Sequence, residues 1–308
     1  MKREFRIPII IIGALVVGNA YFFIARFSLS NKAPDPVFHL TQAFILPVNQ
    51  TSYLPVLNTS AGDVNLDAKS AIVYDVKADR ILFEKNSKQR LPVASLTKVL
   101  NAIVVWERFS PNDVVLVGPS AVKVDGERQD LYTGETLSVN SLMRLMLVES
   151  SNDAAYALQD YAKTKGMDLV AEMNAKAILL DMKDTHFIDP AGLDDAGYST
   201  ASDLVKAVTY ALRYDAIWNF SREPTATVTS ADGQFNHNIK NTNQLLGVVL
   251  NIIGGKTGYT DSALGCMILI VDTQGQDDKI VAVVLGSRGR FEDMKNLISW
   301  TKHAYSWQ

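Results

Sequence analysis

Cysteine occurs once in these 308 residues, at Cys266, so no internal disulfide can form. A chain of this length can bury a core large enough to do without one, so the missing disulfide excludes no compartment. Histidine is also scarce: His39, His186, His237 and His303 stand far apart, and none has metal-ligand spacing. Nor is there a Gly-x-Ser-x-Gly segment. These absences argue against a zinc peptidase and against a histidine-dependent serine hydrolase, and no metal or other cofactor is expected. Charge of one sign is lacking as well. Thirty Lys and Arg against 33 Asp and Glu leave a net charge of −3, without a run of like charge. That balance gives no footing for a nucleic-acid partner. No internal repeat or low-complexity tract is present, and Cys266 itself, in an apolar stretch, reads as a packing residue.

What the chain does have is one long apolar run. Ile7 to Ala25 is nearly unbroken, is preceded by Lys2, Arg3 and Arg6, and is closed by Arg26. As a helix it would span roughly 30 Å, the thickness of a bilayer core. The run is longer than the apolar region of most cleavable signals. Gly18-Asn19-Ala20 and Ser28-Leu29-Ser30 offer only weak cleavage sites, so an uncleaved anchor is the expectation and a cleaved signal the alternative. The basic flank sets the N-terminus inside, which makes everything after Arg26 extracytoplasmic. Three parts follow: residues 1–26 as anchor or signal, 27–65 as a proline-bearing linker, and 66–308 as the folded domain.

Within that domain, residues 70–76 and 81–84 read as strands around a turn. Leu96, Val99, Leu100, Ile103 and Val104 recur at helical spacing, with Ser95 at the helix start. Further helices are predicted over 138–149, 153–163 and 167–182, from Thr200, and over 291–305. Apolar strands are predicted over 265–272 and 279–286. Strands, then helices, then strands and a closing helix suggest a sheet covered by helices, with the first and last strands adjacent.

Ser95-Leu96-Thr97-Lys98 places a lysine one helical turn after a serine, so the amine can reach the hydroxyl. A serine needs a base to take its proton, and lysine can be that base once burial lowers its pKa. The motif alone is weak, since Ser120-Ala121-Val122-Lys123 repeats it without an apolar helix behind it and reads as surface. Ser-x-Asn occurs at Ser110, Ser138 and Ser150. Only Ser150-Ser151-Asn152 sits at a junction between two helices, and helix capping by the serine is the plain reading of the other two. Lys256-Thr257-Gly258 is rarer and leads into an apolar strand. A glycine there would let a substrate backbone lie against the strand edge.

In this order the three motifs match the Ser-x-x-Lys, Ser-x-Asn and Lys-Thr-Gly set of penicillin-binding proteins and β-lactamases. The chain resembles the low-molecular-mass D-alanyl-D-alanine carboxypeptidases in particular. Leu91 to Lys98, Ser150 to Ala154, Asp189 to Leu193, Ser199 to Ala201, Asn241 to Leu246, and Arg290-Phe291 with Leu297 and Trp300 carry the likeness. It covers about residues 66 to 305. The resemblance implies an α+β fold of the β-lactamase/transpeptidase type: an antiparallel five-stranded sheet flanked by helices, plus a mostly helical subdomain. It also implies roles. Ser95 is the nucleophile and Lys98 its base. Ser150 and Asn152 relay protons and hold Lys98 and the substrate. Lys256, Thr257, Gly258, Tyr259 and Arg290 bind the substrate, with backbone N–H groups of Ser95 and Tyr259 as oxyanion donors. Arg290 would receive the terminal carboxylate, provided its strand neighbours the Lys-Thr-Gly strand. The implied partners are peptidoglycan stem peptides and β-lactam antibiotics as covalent inhibitors; the apolar run Ile7 to Ala25 adds a bacterial cell membrane, gripped by the N-terminal helix. Cell-wall remodelling and cell shape are the implied setting.

Three rivals remain. A class A β-lactamase would carry Glu-x-x-x-Asn between the second and third motifs, and that spacing is absent between Asn152 and Lys256. A D,D-endopeptidase would use the same residues. A non-catalytic binding module would have no need of the Ser95–Lys98 pair.

Overall fold

A computed structural model describes residues 54–122, 131–273 and 278–307. The apolar run Ile7–Ala25 lies outside the described residues. Among the described residues no helix is long and apolar enough to cross a membrane.

The sheet is made from the two ends of the domain. Strands β1 (Ser70–Asp75) and β2 (Arg80–Lys85) come before the helices. Strands β3 (Ile252–Thr260), β4 (Leu264–Asp272) and β5 (Lys279–Ser287) come after them. The order is β2-β1-β5-β4-β3, antiparallel throughout, so the first strand lies beside the last. Successive side chains point to opposite faces of a strand. Ile268, Ile270, Val281 and Val283 therefore enter one core with the helical block. Met267, Leu269, Val271, Ala282 and Val284 enter a second core with Met294 and Leu297 of the closing helix. Burial on both faces explains why β4 and β5 read as continuous apolar runs rather than alternating ones.

The helices are α1 (Thr97–Arg108), α2 (Val139–Val148), α3 (Asn152–Thr164), α4 (Leu169–Leu179), α5 (Ala201–Ala211), α6 (Asp215–Ser221) and the closing α7 (Arg290–Ala304). Side-chain oxygens cap four of them. Ser138 accepts from Ser141 N at 3.0 Å, Ser151 from Ala154 N at 3.1 Å, Asp168 from Ala171 N at 3.1 Å and Thr200 from Asp203 N at 3.0 Å. Helix α1 is buried continuously from Thr97 to Val105, which makes it the central pillar of the helical block.

Several details differ from the sequence reading. The stretch Pro55–Leu57, inside the expected linker, pairs antiparallel with Tyr305–Trp307, so regular structure begins before residue 66. Ser110 caps no helix; its N–H donates to Asp113 Oδ2 in a turn. Ser120 is exposed and bonds Asp160 Oδ2 at 2.5 Å. His237, isolated in sequence, lies buried with Nε2 2.5 Å from Glu135 Oε1.

Candidate active site

Ser95 stands in a tight turn, Ala94–Leu96, that runs directly into α1. Ala94 is held at φ 47° and Ser150 at φ 71°, both in the left-handed region. Non-glycine residues there cost about 1–2 kcal/mol each and persist only where the surroundings enforce them. Both strained positions border chemistry-bearing groups: Ala94 precedes Ser95, and Ser150 opens the turn into Asn152 and α3.

Lys98 is fully buried on the first turn of α1. Its Nζ donates to Ser95 Oγ at 2.8 Å, to Asn152 Oδ1 at 2.8 Å and to the Ala191 carbonyl at 2.9 Å. Burial pulls its pKa down to about 7, against the opposing charge of Asp189. Near neutrality much of Lys98 is then a free amine. A free amine has two N–H groups, enough for Asn152 and Ala191, and a lone pair that faces the Ser95 hydroxyl.

Lys256 is the second buried lysine. Its Nζ donates to Ser150 Oγ at 2.7 Å and to the Thr257 carbonyl at 2.8 Å. The two members of the second motif thus divide: Asn152 holds Lys98 and Ser150 holds Lys256. The sequence reading gave both residues the joint task of relaying protons and holding Lys98 and the substrate, without a partner in Lys256. Thr257 Oγ1 lies 2.6 Å from Thr242 Oγ1, which ties β3 to the segment before it. Gly258 is needed for a reason other than the substrate alone. A Cβ there would lie 2.9 Å from Ser95 N and 3.2 Å from Val93 O, so the nucleophile turn itself packs on the strand.

Ser95, Ser150, Asn152, Thr257, Gly258, Tyr259 and Arg290 line one cleft of about 590 Å³, with Lys98 and Lys256 bonded to its wall from behind. Arg290 reaches this cleft by an unexpected route. It follows β5, which is separated from β3 by β4 and so does not neighbour the Lys-Thr-Gly strand. The side chain crosses β4 over Gly265, where a Cβ would lie 2.9 Å from Arg290 Cβ and 3.1 Å from its Cδ. The guanidinium ends 4.7 Å from the Phe291 ring and 5.8 Å from the Tyr259 ring. It pairs with neither nearby carboxylate. Glu292 bonds Lys295, and Asp293 accepts from Asp67 N, Ala68 N and Ser287 Oγ. Cys266 lies under the same crossing, and burial pushes its thiol up to about 11.

Two participants, the Ala191 carbonyl and Thr242, lay inside segments that carry the resemblance but were given no role from the sequence. A carbonyl has no side-chain signature, and a lone threonine before the third motif had none either. Asp189 appeared only as part of a family segment. In the fold its carboxylate gathers four backbone N–H groups, of Ala191, Gly192, Leu193 and Asp194, at 2.6–2.9 Å.

A half-exposed Ser95 bonded to a fully buried Lys98, with a Lys-Thr-Gly edge strand facing it, is the arrangement of the penicillin-binding protein and β-lactamase class. In keeping with that, the fold matches a crystal structure of D-alanyl-D-alanine carboxypeptidase from Mycobacterium tuberculosis with a TM-score of 0.72. The identity is 28%, over 80% of this chain and 95% of that one. Residues 57–289 match the D-alanyl-D-alanine carboxypeptidase family, and the chain belongs to it. A D-alanyl-D-alanine endopeptidase of Pseudomonas aeruginosa is 31% identical over 76% of this chain and 77% of its own length. The D-alanyl-D-alanine carboxypeptidase DacF of Bacillus subtilis is 30% identical over 72% of this chain, and the match spans 58% of DacF.

Proposed function

We propose that the protein removes the terminal D-alanine from peptidoglycan stem peptides through an acyl-enzyme on Ser95. The observation that carries this reading is a fully buried Lys98 with a pKa near 7, hydrogen-bonded at 2.8 Å to a serine in the cleft. Lys98 takes the Ser95 proton as Oγ attacks the carbonyl carbon of the penultimate D-alanine. The C–N bond breaks, and the departing D-alanine amine takes a proton relayed through the lysine and Ser150 network. Backbone N–H groups of Ser95 and Tyr259 receive the oxyanion, each worth about 10²–10³ in rate. Arg290, with Thr257, binds the terminal carboxylate, for which a guanidinium offers a two-pronged fit. Water then hydrolyses the ester.

A β-lactam acylates Ser95 in the same way, but its leaving amine stays attached to the acyl group. Among the described residues no glutamate lines the cleft to activate a water, which supports a long-lived penicillin adduct rather than lactamase turnover. Incubation with fluorescent penicillin should label the full chain covalently, and a D-Ala-D-Ala pentapeptide should lose one D-alanine. Ser95→Ala should abolish both while leaving the circular dichroism spectrum unchanged. Labelling that persists in that variant, or appears on Ser120, rejects the assignment.

The endopeptidase of Pseudomonas aeruginosa, matched over 77% of its length, favours a second reading in which the same residues cut cross-links. Release of monomer from a cross-linked dimer, measured beside D-alanine release, separates the two. The N-terminal run Ile7–Ala25 supports attachment to the bacterial cell membrane with the catalytic domain outside. Deleting residues 1–30 should release the protein from membranes that retain the full chain after a high-salt wash. Retention of the truncated form rejects the anchor.

A further inference from the structure

The proposed mechanism leaves Asp189 unused, although its carboxylate gathers four backbone N–H groups beside the cleft. Its Oδ1 accepts from Ala191 N at 2.7 Å and Gly192 N at 2.6 Å. Its Oδ2 accepts from Leu193 N at 2.9 Å and Asp194 N at 2.8 Å. Four donors on one carboxylate wind residues 190–194 into a fixed loop. The peptide between Ala191 and Gly192 is the informative one. Its N–H points to Asp189 and its carbonyl accepts from Lys98 Nζ at 2.9 Å. One rigid amide plane therefore connects the carboxylate to the buried amine.

Two further contacts hold that plane in place. Pro190 O accepts from Asn101 Nδ2 at 2.9 Å, anchoring the loop on α1 one turn beyond Lys98. Gly192 has φ 80°, and a Cβ there would lie 2.0 Å from Ala94 O and 2.6 Å from Thr97 Oγ1. The loop is thus pressed against the nucleophile turn itself.

We propose that Asp189 is a positioning residue: through the Ala191–Gly192 peptide it aims the Lys98 amine at Ser95 and holds negative charge behind it. This rests on Lys98 being the base that activates Ser95. A carboxylate pulling on the N–H polarises the amide, which strengthens its carbonyl as an acceptor for Lys98. The charge also acts directly. Burial drives the Lys98 pKa down, and Asp189 is the charge that opposes the fall, leaving it at about 7 rather than lower. Other titratable groups around the cluster include Lys256, held by Ser150, the buried Glu149 and Asp153 that flank the second motif, Asp194 of the same loop, and Tyr156 of α3. Burial, with Asp189 and Asp194, pushes the Tyr156 hydroxyl up to about 12, so it stays neutral through the working range.

The test is the pH profile of acylation by fluorescent penicillin, measured on the full chain. In the native protein the second-order rate should rise with pH through a midpoint near 7, as Lys98 loses its proton. Asp189→Asn keeps the shape and one acceptor oxygen but removes the charge. Its midpoint should fall by about one unit, the low end of what one nearby opposite charge does. Its plateau rate should fall about 10-fold or more as the amine loses its aim. Asp189→Glu keeps the charge, so its midpoint should stay near 7 while the plateau falls. A folded Asp189→Asn protein with an unmoved midpoint overturns the proposal, because a merely structural role would lower the rate without shifting the profile. Should Asp189→Asn not fold, a displaced midpoint in Asp189→Glu overturns it equally. A native protein that takes no label at all rejects the proposed function, and this inference with it.

Discussion

Arg290 shows how little a single residue's neighbours in sequence reveal about its task. Glu292 and Asp293 follow it closely and would ordinarily be its partners, yet both are engaged elsewhere. Its Nε is buried without a hydrogen-bond partner among the described residues. Burial pulls its pKa below the usual arginine value, but a guanidinium stays charged throughout the working range. The residue as a whole is half-exposed and lines the cleft, which is consistent with the proposed role of receiving the free C-terminus of a D-Ala-D-Ala peptide. Loss of a charged hydrogen-bond partner costs about 1.5–3 kcal/mol, so Arg290→Gln should lower kcat/KM on such a peptide by about 10- to 150-fold. Thermal stability should change little. An unchanged kcat/KM would return Arg290 to a packing role beside Tyr259. The serine–lysine pair, by contrast, was legible, because its i, i+3 spacing is followed by an apolar helical repeat that the Ser120–Lys123 pair lacks.

At the scale of elements, α7 decides where Arg290 stands. The first turn of this helix is pinned by Asp293. Its Oδ1 accepts from Asp67 N at 3.0 Å, and its Oδ2 accepts from Ala68 N at 2.8 Å and Ser287 Oγ at 2.6 Å. These bonds join the helix to the segment before β1 and to the end of β5. Asp293→Ala removes three bonds, two of them buried, at about 1 kcal/mol each, so unfolding free energy should fall by about 3 kcal/mol. The KM for a D-Ala-D-Ala peptide should rise as well, since Arg290 loses its footing. A denaturant midpoint equal to that of the native protein would show that the helix is held by apolar packing alone. The helix was predicted from its periodicity, whereas the pin was invisible, because Asp67 and Asp293 lie 226 residues apart.

The whole molecule carries one pH dependence that has nothing to do with catalysis. Where β1 ends and β5 begins, Asp75 and Asp278 are both buried. Asp75 accepts from the Trp307 indole at 2.7 Å, and Asp278 from Lys279 N at 2.6 Å. Burial, then the hydrogen bond and charge of Asp75, push the Asp278 carboxyl up to about 6. A raised carboxyl pKa means that the folded state binds more protons than the unfolded chain between about pH 4 and 6. Stability from this site is therefore present at acid pH and lost as pH rises through about 6. Asp278→Asn mimics the protonated form. Relative to it, the native protein should lose about 1–3 kcal/mol between pH 4 and 7. Chemical denaturation of both forms across that range checks this, and parallel curves would refute it.

The sequence by itself determined the family, the candidate site residues and most of the secondary structure. Ser95, Lys98, Ser150, Asn152 and Lys256 were marked as candidates by three short motifs in a family order, none of them specific alone, and β4, β5, α1 and α7 by periodicity, because both signals are carried within a few residues. It also marked the adjacency of first and last strands, through the order of its elements. What it could not hold was anything made by residues that meet only after folding. The division of Asn152 to Lys98 and Ser150 to Lys256 is one case, decided by two buried lysines that approach one turn from different elements. The passage of Arg290 over Gly265 is another, since β4 intervenes between its strand and the cleft. The Asp189 cradle is a third. Its working part toward Lys98 is a backbone carbonyl, which every residue possesses, so only the tertiary path of the chain could say which carbonyl would be used.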